Sequence, residues 1–370
     1  MNILVIGNGF DIAHKLNTRY NDFLNVISLF NKLEGVNEFT QLSEYTKSIE
    51  GLLIEKIFRE YFAMKVSNTA ISDETKIFGR MANENFWLIY FYMLNEDEFR
   101  KKSQGDWVDF EAEIKKVVIK VEKAMQEHGK IDSYEIEASI RKRIPLKIND
   151  FPDIIEMMEK DLDELIRCFE IYLEKFVDVY KKEQLVYRSP DIEELKIDKI
   201  LSFNYTQTYE KLYSNGNVEY DYIHGRADIS NTVDSNNMVL GIDEYLPDSR
   251  KDIDLDFISF KKYYQRINKG IEGRYKKWLR NIEIMNRLKN PIHHNLYIFG
   301  HSLDISDGDI LKELILEDNV YTTIFYLDSS KRKRLIKNLV AIIGQDELKK
   351  RTVGDNRTII LKKQRDMIIV

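Results

Sequence analysis

A short apolar run, Ile3-Leu4-Val5-Ile6, stops at Gly7-Asn8-Gly9 and gives way at once to a helical pattern. Few architectures accept that order. A continuous apolar run of this length suits a parallel strand buried on both faces. A strand that feeds a glycine turn and then a helix opens a doubly wound unit, with that strand in the middle of its sheet. The expected fold is α/β, a Rossmann-like, mostly parallel sheet.

Further strand signals come late in the chain. Lys199–Asn204, Glu219–His224, Met238–Asp243, Leu296–Gly300 and Thr322–Asp328 read as short buried strands, with Thr358–Leu361 and Met367–Val370 as added edges. Most end in a residue capable of chemistry, and ligands of open α/β sheets sit at the carboxyl ends of strands. Between them the pattern is helical. From Asp150-Phe151-Pro152, where proline suits a first helical turn, Ile155, Met158, Leu162, Leu165, Phe169, Tyr172, Phe176 and Val179 mark one stripe. We therefore expect a core of residues 1–39 and 196–370 carrying a large helical insertion, residues 40–195.

Composition narrows the function. Only 5 prolines and 16 glycines in 370 residues leave little room for linkers, and a net charge of -6 argues against a wholly basic nucleic-acid binder. One cysteine, Cys168, excludes an intramolecular disulfide and a cysteine-rich zinc module. No metal is expected. Basic residues do not precede Ile3–Ile6 as in a signal peptide. The longest apolar run, near Phe86–Leu94, is about half the roughly 20 residues of a membrane span. The expectation is a cytoplasmic protein without a membrane partner.

Four segments could carry chemistry. Gly7-Asn8-Gly9-Phe10-Asp11 is either a tight structural turn or an anion site before a helix. Asn204, in Ser202–Thr206, either caps the next helix or meets a ribose hydroxyl or a water. His224, beside Gly225, is a base or a satisfied structural histidine. Gly300-His301-Ser302-Leu303-Asp304 and the following Ser306–Ile310 are a phosphate or ribose contact, or a turn in which Asp307 or Asp309 caps a helix. His14 and the pair His293-His294 are weaker candidates.

Taken in order, Asn2–Asp11 with Ala13-His14, Tyr20–Phe23, Trp107–Glu111, Ser202–Thr206, His224-Gly225, Gly241–Asp243 and Gly300–Leu303 resemble the AbiH family of bacterial abortive-infection proteins. The same order is more distantly similar to the sirtuin-like fold of NAD-consuming enzymes. That resemblance implies that Gly7, Asn8, Gly9 and Phe10 approach NAD, and that Asn204 aligns a ribose or water. It makes His224 the base, and it implies that Gly300, His301 and Ser302 contact the adenosine side. Asp328, at a strand end, is assigned an adenosine ribose. Sirtuin deacetylases carry four zinc cysteines that this chain lacks. Asp11 stands where sirtuins tend to have serine, either repelling a pyrophosphate or serving the nicotinamide end as a catalytic carboxylate.

The resemblance implies a phage-defence effector, a hydrolase splitting NAD at the nicotinamide–ribose bond, with NAD as substrate or ligand. A homo-oligomer and a trigger from phage or from a partner protein belong to the same expectation. The alternatives are attack on a nucleic acid or another nucleotide, motivated by the basic and aromatic Phe260–Asn281, and a non-catalytic nucleotide sensor.

Overall fold

The opening apolar run forms strand β1 (Asn2–Ile6), and both its neighbours run parallel to it. In the computed structural model, residues 1–33, 73–94, 109–143, 150–177, 185–214, 216–288 and 292–370 are described. The later strands are β2 (Tyr187–Arg188), β3 (Lys199–Ser202), β4 (Glu219–Tyr222), β5 (His294–Phe299), β6 (Val320–Tyr326), β7 (Ile359–Lys363) and β8 (Ile368–Ile369).

Six of them make one parallel sheet in the order β4-β3-β1-β5-β6-β7. Leaving aside the two-residue β2, this is the order 3-2-1-4-5-6 of a doubly wound, Rossmann-like fold. The continuous apolar character of β1 follows from burial on both faces. Ile3 and Val5 pack with Trp278, Leu311 and Leu339 from the helices Tyr275–Asn286, Gly308–Leu316 and Ser329–Ile343. Leu4 and Ile6 face the other way, into a cluster with Phe10, Ile192, Tyr209 and Phe299.

The chain divides into two compact units. The sheet unit comprises Met1–Leu16, Glu183–Arg226 and Gly270–Val370; the helical unit comprises Asn17–Lys182 and Ala227–Lys269. These boundaries differ from those expected at 39/40 and 195/196, and the largest difference is that residues 227–269 join the helices. Met238–Asp243 is accordingly not a sheet strand. Its buried backbone is met partly by side chains and partly by one isolated bridge: Met238 N–H donates to Asn236 Oδ1, Leu240 exchanges hydrogen bonds with the Gln265 amide at 3.0 and 3.1 Å, and Ile242 donates to the Phe260 carbonyl and accepts from Lys262 N–H. Met367–Val370 is a second correction. It supplies β8, which pairs antiparallel with β2 in a separate small sheet rather than extending the main one.

The helical unit is organised on the helix Phe151–Lys175, which has Pro152 in its first turn as anticipated and buries Met158, Leu162, Leu165, Phe169 and Tyr172. Cys168 lies fully inside it, and burial pushes its thiol well above the usual range, so it is a packed group. The Trp107–Glu111 motif serves this unit as far as it is described; Trp107 and Val108 lie outside the described residues. Asp109 caps the helix Phe110–Gln126 by accepting from Ala112 N–H. Phe110 is sandwiched between Tyr20 and Phe91, stacked at 4.1 and 4.4 Å. Glu111 pairs with the buried Lys262 at 2.7 Å. Among the described residues, no helix is long and apolar enough to cross a membrane.

A buried ion pair ties the returning segment to this helix. Glu170, wholly buried, accepts from Arg167 at 2.5 Å, from Asp228 N–H at 2.9 Å, and from the Asn231 and Asn236 side chains. Arg167 also donates to the carbonyls of Asp228 and Ile229. Removing one member of such a pair strands a charge in the interior. Glu170→Ala is therefore expected to lose about 3–5 kcal/mol in urea unfolding. A loss below about 1 kcal/mol, the scale of one ordinary hydrogen bond, would contradict this role.

Candidate active site

The reversal of strand order falls at β1, between β3 and β5, so the crevice where such sheets bind ligands is lined by the segments that leave these strands. Each segment carries a candidate. Asp11 follows β1, Asn204 follows β3, His224 follows β4 and His301 follows β5.

Of the two readings of the glycine turn, the tight structural turn accounts for its contacts. Gly9 N–H donates to the Gly300 carbonyl at 2.8 Å, Phe10 N–H to the Gly7 carbonyl at 2.8 Å, and Gly7 N–H to the Phe299 carbonyl at 3.4 Å. A β-carbon on Gly9 would stand 2.6 Å from the Gly300 oxygen, and one on Gly7 would stand 2.8 Å from the His301 α-carbon. Gly300 itself needs positive φ (+68°), and a β-carbon there would meet Phe10 N at 2.1 Å. The glycines thus let two backbones touch. Their amides are spent inside the protein, which removes the case for a phosphate cradle at Gly7, Gly9 and Phe10. The Phe10 ring is fully buried and packs edge-on against Phe299 at 5.7 Å. Asn8 opens the helix Asn8–Ala13 beside them, half-buried.

Asp11 lies behind this turn, 1 % exposed. Its Oδ2 accepts from the Thr206 hydroxyl at 2.6 Å, which in turn accepts from the Thr208 hydroxyl at 3.1 Å. Its Oδ1 has no hydrogen-bond partner. Burial pushes the Asp11 carboxyl up to about 6, against the opposing pull of Thr206, Thr208, the nearby Asn204 amide and Lys211. The Asn204 amide is 4 % exposed, and neither its nitrogen nor its oxygen makes a hydrogen bond of normal geometry. The capping role does not hold, because the next helix begins at Thr208 with Gln207 at its N-cap. An unpartnered buried carboxylate oxygen beside an unpartnered buried amide costs stability unless a ligand or water completes it.

The two histidines meet over one carboxylate. His224 Nε2 lies 3.2 Å from Asp307 Oδ1, and His301 Nε2 lies 3.6 Å from Asp307 Oδ2. His301 Nδ1 accepts from Leu303 N–H at 2.9 Å, and the Phe203 ring stands edge-on to both imidazoles. The buried His301 side chain is thus committed within the protein, while Ser302 is exposed and its carbonyl accepts from Asn338. Asp328 is exposed and caps the helix Ser329–Ile343 by accepting from Lys331 N–H. His14 donates from Nδ1 to the Phe10 carbonyl and accepts from the Tyr213 hydroxyl, both at 2.6 Å. His294 pairs with the chain's amino group at the opposite end of β5. Neither belongs to the crevice. Among the described residues, no group of three or more His, Cys, Asp or Glu side chains is arranged to hold a metal.

The basic and aromatic Phe260–Asn281 does not form one stripe. It is divided between the two units at Lys269/Gly270. Lys261 pairs with Glu244, Lys262 with Glu111, Lys269 with Asp163 and Lys276 with Glu313, while Tyr275 and Trp278 are core residues.

A doubly wound sheet with chemistry-bearing side chains gathered at its reversal defines a Rossmann-like protein with an elaborated crevice. Residues 3–327 match the family described as Bacteriophage abortive infection AbiH, and the chain belongs to that family. Its role is accordingly in abortive infection by bacteriophage. No curated protein and no solved structure matches the chain.

The raised Asp11 carboxyl makes a linkage prediction. A shift from 3.8 to about 6 means that the folded state holds the proton more tightly than the unfolded chain. That contribution is full below pH 3.8 and is lost as pH rises through about 6. Asp11→Asn should therefore stabilise the protein at pH 8, by up to about 3 kcal/mol, and should gain nothing at pH 4. Urea unfolding at the two pH values checks this; equal stability of variant and wild type at pH 8 would refute the buried charge.

Proposed function

We propose that this chain is an abortive-infection effector enzyme that hydrolyses the nicotinamide–ribose bond of NAD. One observation carries the reading: Asp11 Oδ1 and both polar atoms of the neighbouring Asn204 amide are buried at the strand-order reversal without a hydrogen bond of normal geometry. An acceptor beside a donor–acceptor pair is the complement of ribose hydroxyls. The glycine turn does not contribute phosphate contacts to this reading, so the weight falls on the ribose.

The chemistry asks little beyond what these residues supply. The bond to C1′ breaks with its electron pair going to the pyridinium nitrogen, so nicotinamide departs neutral and needs no proton. C1′ passes through an oxocarbenium-like state, as in other glycosidic cleavages. Asp11, ionised above pH 6, stabilises the positive charge developing there from a dry setting in which a carboxylate acts strongly. Asn204 holds the ribose or the attacking water. His224 removes the proton as water adds to C1′, with Asp307 behind its imidazole. Turnover that depends on the Asp11 carboxylate falls as pH drops below about 6.

Resemblance to sirtuin-like enzymes supports the choice of NAD among ribosides. The nucleic-acid alternative loses support from the ion pairs that occupy Lys261, Lys262, Lys269 and Lys276. The test is NAD consumption by the purified protein, with and without phage lysate, beside His224→Ala. Nicotinamide release that falls at least about a hundredfold in the variant is the expected result. Intact NAD in every condition overturns the hydrolase, and saturable NAD binding without turnover would make the chain a sensor.

A further inference from the structure

The chain leaving β3 turns on one hydroxyl. Ser202 Oγ, at the end of that strand and wholly buried, donates to the Asn204 carbonyl at 3.0 Å and accepts from the Asn204 N–H at 3.1 Å. This clamp bends the segment, and Thr206 beyond it meets Asp11, 195 residues earlier in the chain. Thr208 opens the helix Thr208–Tyr213, is 4 % exposed, and reaches back with its hydroxyl to Thr206.

The hydrogens in this row can be placed. Thr206 has one hydroxyl hydrogen and two oxygen neighbours, Asp11 Oδ2 at 2.6 Å and Thr208 Oγ1 at 3.1 Å. An ionised carboxylate only accepts, so the hydrogen in the shorter contact belongs to Thr206. The longer contact then uses the hydrogen of Thr208. The row points one way, from Thr208 through Thr206 to Asp11, and it commits Oδ2 while Oδ1 stays without a partner. Hydroxyls that donate in series toward a charge favour the charged form, and each link polarises the next. Among the described residues, the ionisable groups that face Asp11 are Lys211, on the helix Thr208–Tyr213, and Tyr222, at the end of β4. Burial pushes the Tyr222 hydroxyl well above its ordinary range, with Glu210 and Asp11 adding to it, so it stays neutral where Asp11 titrates.

We propose that Thr206 is a positioning residue whose hydroxyl, directed by Thr208, holds the ionised Asp11 carboxylate by Oδ2 and leaves Oδ1 as the oxygen that meets a ligand. This rests on the reading of Asp11 as the carboxylate that faces the riboside, but the hydrogen-bond row is a separate claim with its own test. Thr206 is the largest pull opposing the burial that raises the Asp11 carboxyl. Valine at 206 keeps the shape of threonine and removes the donor, so Asp11 then holds its proton to higher pH. Serine at 206 restores the donor. Valine at 208 leaves the bond from Thr206 to Asp11 in place and removes only its polarisation.

The experiment is carbon-13 spectroscopy of the full chain with labelled aspartate and threonine, followed from pH 4 to pH 9. The Asp11 carboxyl is assigned by its loss in Asp11→Asn, and the Thr206 carbons by their loss in Thr206→Ser. In wild type the Thr206 side-chain carbons are expected to titrate with the midpoint of the Asp11 carboxyl. In Thr206→Val that midpoint should rise by about one to two pH units; in Thr206→Ser it should return to the wild-type value, and in Thr208→Val it should rise by less. The acid limb of NAD turnover should move up with it in Thr206→Val, a change that loss of packing alone does not produce. Thr206 carbons that ignore the Asp11 titration in wild type overturn the proposal, as does an unmoved midpoint in a folded Thr206→Val protein. If NAD stays intact in every condition, the titrations still decide the row; if the titrations fail while NAD is split, the hydrolase stands without it.

Discussion

Everything in the sheet unit depends on a contact between two glycines. Gly9 and Gly300 meet backbone to backbone, and neither position has room for a β-carbon. The turn after β1 is thereby seated on the segment after β5, at the reversal of strand order, where any side chain would wedge them apart. Two consequences follow directly. The helix after the turn carries Asp11 under cover, and the chain beyond Gly300 folds over so that His301 reaches Asp307. Close packing at this point leaves the crevice with few but buried polar groups, and burial is what raises the Asp11 carboxyl.

The helical unit solves a different problem, that of holding a long returning segment with little regular structure. Residues 227–243 contribute no strand to a sheet. Several of their backbone groups are met by the side chains of Glu170, Arg167, Asn236 and Gln265. Glu170 can be buried here because both its oxygens are met by donors, while Arg167 Nε stays buried without an acceptor.

Much of the sheet was legible because its signal is local. Burial on both faces forces an unbroken apolar run, and β1 advertises itself that way; β5 and β6 alternate more, with Tyr321 exposed. Met238–Asp243 carries the same apolar signature for another reason: it is buried, but its hydrogen-bond partners are the Asn236 and Gln265 side chains and a single isolated bridge at Ile242, and periodicity cannot tell a ladder from such partners. That Asp11, Asn204 and His224 each follow a strand of the parallel sheet could be read from the ends of the apolar runs. The meaning of the glycines could not, since a turn that admits a phosphate and a turn that admits another backbone share one composition. Asp307 was legible as a cap and is none, because its partner His224 lies 83 residues away. The threonine chain from Thr208 through Thr206 to Asp11 sits partly within a segment the sequence does highlight, yet hydroxyl direction has no sequence signal.

The central claim is that the unpartnered Asp11 and Asn204 groups await a riboside. It is tested most directly by following the Asn204 side-chain amide resonances in the full-length protein during titration with NAD. A saturable shift of both amide protons, abolished in Asp11→Ala while the protein stays folded, is the predicted result. Resonances that stay fixed at NAD concentrations well above those of a cell would contradict the account.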